Sequence, residues 1–165
     1  MRALWLAVRS ITWAVLLPGV VAGYIPWAFF RLGEIHWSPE VPALYVGVVL
    51  VASGISLLAA CIWEFASRGR GTLSPVDPPK ELVVQGLYRY VRNPMYLAVS
   101  LILIGEHMLT HSWQLLAYWA VCFVIWNVFV IGYEEPTLRR QFGESYERYA
   151  RDVPRWVPRS AKRKA

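Results

Sequence analysis

The chain has 165 residues, 56% of them apolar, with a formal net charge of +6 and only 17% charged side chains. A typical soluble domain carries about 25% charge, whereas here whole stretches of about 20 residues are nearly uncharged, the length of a bilayer-crossing helix. An ordinary soluble domain is excluded. Because the basic residues flank the apolar runs, anionic lipid headgroups are the expected counter-charge and nucleic acid is not.

The first apolar run, 11–30, follows Arg2 and Arg9 and contains Pro18 and Pro26. No small-x-small cleavage site follows it, so it reads as a retained first span, with a kink expected at Pro18–Gly19. The second run, 41–63, carries Gly47 and Gly54 on one helical face, where small residues let another helix come close. A Gly- and Pro-rich loop follows, within which LVVQGLY suits a short extended or interfacial piece. So long a connection in so small a protein is expected to be functional. The third run, 94–109, would be about 24 Å long. That is short for a hydrocarbon core of about 30 Å, so protection by neighbouring helices is predicted. A tight turn at 110–112 leads into the fourth run, 113–133, making an antiparallel hairpin. Beyond Pro136, the series Leu138, Phe142, Tyr146, Tyr149 and Val153 has helical spacing, with Arg139, Arg140, Arg148 and Arg151 mainly elsewhere on the wheel. That pattern predicts an amphipathic helix over 136–153 at the membrane surface.

The expected fold is therefore all-α and integral to the membrane: a single domain over 1–165 with four transmembrane helices, a cytoplasmic loop and a C-terminal amphipathic helix. Of 17 Lys and Arg, two precede the first span, five lie between the second and third, nine follow the fourth, and Arg31 alone lies on the other side. By the positive-inside rule both termini are cytoplasmic, and the compactness suggests a bacterial inner membrane. Cys61 and Cys122 fall inside apolar runs as small buried side chains. His36, His107 and His111 lack metal-ligand spacing, so no metal is expected. No internal repeat is visible, and the oligomeric state is left open.

The stretch QGLYRYVRNPMYL (85–97) holds more chemistry than a membrane stop needs. Asn93 suits a helix N-cap and Pro94 the first helical position. The unpaired N–H groups of the third helix then point at the loop and form an anion site. Arg92 adds a fork for a carboxylate or phosphate, and Tyr88, Tyr90 and Tyr96 offer flat faces and hydroxyls. Taken alone, this is also what a capped helix with interfacial anchors requires. Glu134 and Glu135 alter the balance, because acids at the cytoplasmic end of a span oppose both the helix dipole and an anionic leaflet. A compensating cation is expected: Arg92, Arg139 or a ligand. Asn127, seven residues before Glu134, would share its face. An anion receptor, two carboxylates and aromatic rings beside lipid together suit a zwitterion with a carboxylate, a cationic centre and an aromatic base. S-adenosylmethionine has that description.

GLYRYVRNPMY (86–96) and EEPTLRRQFGESYERYARDVPRWVP (134–158), in that order, resemble the integral-membrane methyltransferases of the isoprenylcysteine carboxyl methyltransferase and phospholipid N-methyltransferase superfamily. GTLSPVDPPKELVVQ (71–85) is similar to its smaller bacterial members. The resemblance implies a cytoplasmic S-adenosylmethionine site between the loop before the third helix and the acidic end of the last, with Gly86, Tyr88, Arg92, Asn93, Pro94, Tyr96, Glu134 and Glu135 at the matched positions. The implied activity is methyl transfer to a lipid or lipid-like acceptor that enters sideways from the bilayer. Glu134 and Glu135 are the candidate catalytic pair, for cofactor positioning first and for deprotonating an amine acceptor second. Many relatives have Arg-His-Pro where this chain has Arg92-Asn93-Pro94, which weighs against prenylcysteine as the acceptor. The glycine-rich motif of soluble methyltransferases is absent. Glu106, near the outer end of the third span, is remote from this site. Two other readings compete. One is an NADPH-dependent membrane reductase of the sterol or steroid type, with Arg89 or Arg139 for the 2′-phosphate. The other is a non-catalytic lipid-binding or transporter protein; for a transporter, midplane charges and repeats would be expected.

Overall fold

A computed structural model describes residues 16–30, 42–68 and 82–159. The start of the first expected span (11–15), Arg31, His36 and most of the 71–85 motif lie outside the described residues. Five helices make up what is described: α1 (Leu16–Phe30), α2 (Pro42–Arg68), α3 (Pro94–Thr110), α4 (Trp113–Phe142) and α5 (Glu144–Asp152), with a 3-10 turn at Gly86–Arg89. No strand occurs among the described residues. The Pro42–Glu64 part of α2 and the whole of α4 are long and apolar enough to cross a membrane; α1 and α3 are apolar but shorter. Trp63, Trp113, Val124 and Val128 stand exposed on the two long helices.

The chain divides into two compact units, one of them comprising Val15–Ala59 with Met95–Trp126. Its core is Ala22, Val99, Ile102 and Leu103, with Val21, Leu58, Tyr118, Trp119 and Trp126 packed around it. The small-residue face of α2 is taken up by α3. A Cβ at Gly54 would lie 2.7 Å from the Ala98 carbonyl oxygen and from Ile102 Cγ1, and one at Gly47 would lie 2.9 Å from the Leu109 side chain. Gly105 of α3 returns the contact, since its Cβ would come 2.9 Å from the Val51 nitrogen and the Gly47 oxygen. Backbones this close gain dispersion along their whole contact, the main attraction left where lipid is as apolar as the side chains. In α1, Gly19 keeps helical angles (φ −63°, ψ −36°) and leads into a π turn at Val20–Tyr24. The Tyr118 hydroxyl donates to the Val21 carbonyl at 3.1 Å, satisfying a backbone group within that turn.

Of the described residues, the other unit comprises 60–68, 82–94 and 127–159. Here α4 does not end at Tyr133 as its apolar run suggests. It passes through a π turn at Val130–Glu134 and continues as α-helix over Glu135–Phe142. Gly143, at φ +52°, then breaks the chain before α5, so the amphipathic helix expected over 136–153 is two pieces. Nor is its aromatic face spread open. Tyr146 and Val153 are buried and Tyr149 is half-buried, and the hydroxyls of both tyrosines find partners inside the protein.

Candidate functional site

The site lies in this second unit and is built from three pieces of chain: the end of α2 with the 82–94 loop, the polar end of α4, and α5 with the segment after it. Gly86 opens the loop's 3-10 turn at φ +54°, a conformation that favours glycine. Any Cβ there would collide with the Glu64 carboxylate. Glu64 Oε2 accepts the Leu87 N–H at 3.2 Å, so an acid at the end of α2 fixes the start of the turn. The turn buries Tyr88, whose carbonyl accepts the Tyr149 hydroxyl at 2.7 Å. Burial pushes the phenols of Tyr88, Tyr146 and Tyr149 above their ordinary range. They are neutral hydroxyls there, not phenolates: that of Tyr149 donates to the Tyr88 carbonyl, and that of Tyr146 accepts from Arg92.

At the centre is Glu135, only 4% exposed. Arg155 grips it in a fork, Nε to Oε1 at 2.6 Å and Nη2 to Oε2 at 3.1 Å. Arg92 Nη1 lies 3.2 Å from the same Oε1, and Arg139 Nη2 is 3.9 Å from Oε2. Arg139 is also paired with Glu147 at 3.0 Å, on the exposed side. The hydrogen bond to Glu135 raises the Arg155 guanidinium above its ordinary range. Arg92 Nη1 donates in addition to the Tyr146 hydroxyl at 3.2 Å, while Arg92 Nε is buried with no acceptor among the described residues. A buried N–H without a partner is costly and marks a place where an acceptor would be stabilised.

The segment after α5 closes the arrangement with backbone bonds. The Arg92 N–H donates to the Pro154 carbonyl at 2.9 Å, and the Arg159 N–H donates to the Tyr90 carbonyl at 3.1 Å. Asn93 precedes Pro94 at the head of α3, and its side-chain amide donates to the Arg155 carbonyl at 3.2 Å. Trp156 Nε1 donates to Asn127 Oδ1 at 2.9 Å. Consecutive residues of this segment therefore reach Glu135 and Asn127, which means that those two share a face of α4. The sequence spacing had paired Asn127 with Glu134 instead. The π turn between them, closed by the Glu135 N–H bonding back to the Val130 carbonyl, takes up one residue more than an α turn and advances the face to Glu135.

Of the residues expected at a site, Gly86, Tyr88, Arg92, Asn93, Pro94, Asn127, Glu134 and Glu135 fall in one unit. Tyr96 falls in the other, where its ring lies 5.4 Å from that of Trp126. Glu134 is half-buried beside Glu135. Of the cations expected to compensate the acids, Arg92 and Arg139 are both present. Sequence reasoning missed Arg155, Trp156 and Glu64. Glu64 had a readable signal, since it is an acid at the end of an apolar run just as Glu134 and Glu135 are. Arg155 lies within the 134–158 motif, but nothing local singles it out among the nine basic residues after the fourth span.

The family described as PEMT, phospholipid methyltransferase, matches residues 42–145. Among curated proteins, the chain is 35% identical over 79 residues to a protein-S-isoprenylcysteine O-methyltransferase of Schizosaccharomyces pombe, covering 47% of this chain and 33% of that one. It is 30% identical over 121 residues to a probable protein-S-isoprenylcysteine O-methyltransferase of Oryza sativa subsp. indica, covering 69% of this chain and 60% of that one. To protein-S-isoprenylcysteine O-methyltransferase B of Arabidopsis thaliana it is 35% identical over 81 residues, with 47% and 40% covered. The matches thus span between 33% and 60% of these relatives' lengths. No solved structure matches the chain.

Proposed function

The chain belongs to the phospholipid methyltransferase family, and from that premise we propose that it is a membrane enzyme transferring the methyl group of S-adenosylmethionine to a lipid-like acceptor. The observation that carries this reading is the buried Arg92 Nε, a charged donor without an acceptor among the described residues, in a cluster of arginines gathered around one acid. A donor of that kind fits the carboxylate of the methionine moiety. Glu134, next to Glu135 on the chain, would take the ammonium or ribose groups, and Tyr88 and Asn127 would border the remainder. Glu135 would organise the arginines. The related proteins' names, all methyltransferases, support the same reaction class.

When bound, S-adenosylmethionine supplies a methyl group already made electrophilic by a sulfonium. The chain's own work is then alignment of an acceptor lone pair with the methyl–sulfur bond and exclusion of water. Glu135 is a poor proton acceptor, because three guanidinium groups surround it. That favours an acceptor with its own lone pair at neutral pH, such as a carboxylate; an amine would have to pass its proton to Glu134. In the proposed setting, α1 to α4 are four spans of a bacterial inner membrane. Both termini and the arginine-rich end face the cytoplasm and its anionic lipids.

A reductase reading has less support. Arg89 lies over the Tyr90 ring at 4.7 Å and Arg139 is paired with Glu147, so neither stands ready for a 2′-phosphate. The test is calorimetric binding of S-adenosylmethionine and of NADPH to the same detergent-purified, folded protein. We expect the first alone to bind, and Arg92→Ala to weaken it by about tenfold or more. Binding of NADPH alone would replace the reaction class, and binding of neither would refute a cofactor site at Arg92.

A further inference from the structure

The arginines around Glu135 are not equivalent. Arg139 is 48% exposed, 3.9 Å from the carboxylate and shared with Glu147. Arg155 holds both carboxylate oxygens, and residues 154–156 are each tied to the rest of the unit by a hydrogen bond. The Pro154 carbonyl takes the Arg92 N–H, the Arg155 carbonyl takes the Asn93 amide, and the Trp156 indole is anchored on Asn127. Glu135 Oε1 is shared between Arg155 Nε and Arg92 Nη1. Arg92 Nη1 is held on its other side by Tyr146, and Nε of the same guanidinium is buried with no acceptor among the described residues.

We propose that Arg155 is a positioning residue for the methyl donor. Its fork fixes the Glu135 carboxylate, Glu135 fixes one end of Arg92, and the Arg92 Nε–H is thereby presented to the donor's carboxylate. The role rests on the cofactor reading above. A carboxylate held by a single guanidinium can rotate about its Cγ–Cδ bond and slide between monodentate and bidentate contacts. A second guanidinium on both oxygens removes that freedom. Lysine cannot reproduce this, because an ammonium is a point charge without a planar fork. No bond is made or broken by Arg155, and no proton leaves it.

The experiment compares wild type, Arg155→Gln, Arg155→Lys and the exposed control Arg148→Gln, all purified in detergent and shown to be folded by thermal unfolding. Two quantities are read: S-adenosylmethionine binding by calorimetry, and the arginine Nε–H spectrum of ligand-free protein labelled with nitrogen-15 arginine. Arg155→Gln should weaken binding by about tenfold or more, with Arg155→Lys between it and wild type. In the ligand-free spectrum the Arg92 Nε–H signal should move or broaden in Arg155→Gln and stay in place in Arg148→Gln. Wild-type affinity in Arg155→Gln overturns the proposal, as does an unchanged Arg92 signal. Folded wild type that ignores S-adenosylmethionine overturns the cofactor reading, and this role with it. In that case the spectrum still decides whether Arg155 and Arg92 are coupled at all.

Discussion

The two units solve the problem of packing helices by opposite means. In the unit holding most of α1 to α3, backbones meet over glycine. Gly54 and Gly47 leave no room for a Cβ, and the core is Ala22, Val99, Ile102 and Leu103. In the unit holding the site, loop, helix end and C-terminal segment are joined by directed bonds to charged and carbonyl groups, with Glu135 at 4% exposure among three arginines. Shape complementarity tolerates an apolar exchange of similar volume, whereas a buried charge tolerates almost nothing, because removing one partner strands the others. The difference separates packing that depends on shape from packing that depends on paired charges.

Breaking the charged region should cost most. Glu135→Ala leaves Arg92 and Arg155 without their counter-charge and is expected to destabilise by about 3–5 kcal/mol, read as a drop in the detergent unfolding midpoint. A loss no larger than that of an exposed substitution such as Glu147→Ala would show that the site's ion pairs are replaceable. Gly54→Leu tests the other strategy. Its side chain would meet the Ala98 carbonyl and the Ile102 nitrogen, backbone that cannot step aside, so a loss of about 1–3 kcal/mol is expected. Wild-type stability would mean that α2 and α3 are not in that contact. Gly143→Ala sharpens the contrast, because φ is +52° but nothing lies within 4 Å of its would-be Cβ. Strain without a clash should cost roughly 1 kcal/mol. The smallest effect is a pH dependence. Unfolded tyrosines ionise near pH 10, while burial makes Tyr88, Tyr146 and Tyr149 hold their protons to higher pH. Above about pH 10 the unfolded chain therefore binds fewer protons than the folded one, and stability falls as pH rises further. Replacing Tyr149 by Phe should flatten that decline, as followed by unfolding between about pH 8 and 11.

The helix positions were legible because apolar runs and the Pro94 start are local signals. So was the convergence of Arg92 with the acids after Tyr133, since two opposed charges beside apolar runs need each other. The end of α4 was not legible. A hydropathy reading stops at Tyr133, but the backbone continues through a π turn whose extra residue exchanges Glu134 for Glu135 on the Asn127 face. Tyr146 and Tyr149 have the spacing of a surface helix, and only the partners waiting at Arg92 and the Tyr88 carbonyl draw them inside.

By itself, then, the amino-acid order determined an all-helical chain with membrane-length apolar helices and a polar cluster assembled from two distant motifs. Periodicity, charge and capping act over a few residues and are written in the chain. The tertiary structure decided which acid is buried, that Arg155 is its principal partner, that Glu64 occupies the space beside Gly86, and that Tyr96 lies in the other unit. Those choices depend on which of many similar side chains come within about 3 Å of one another, and hydrogen bonds weaken steeply beyond that range.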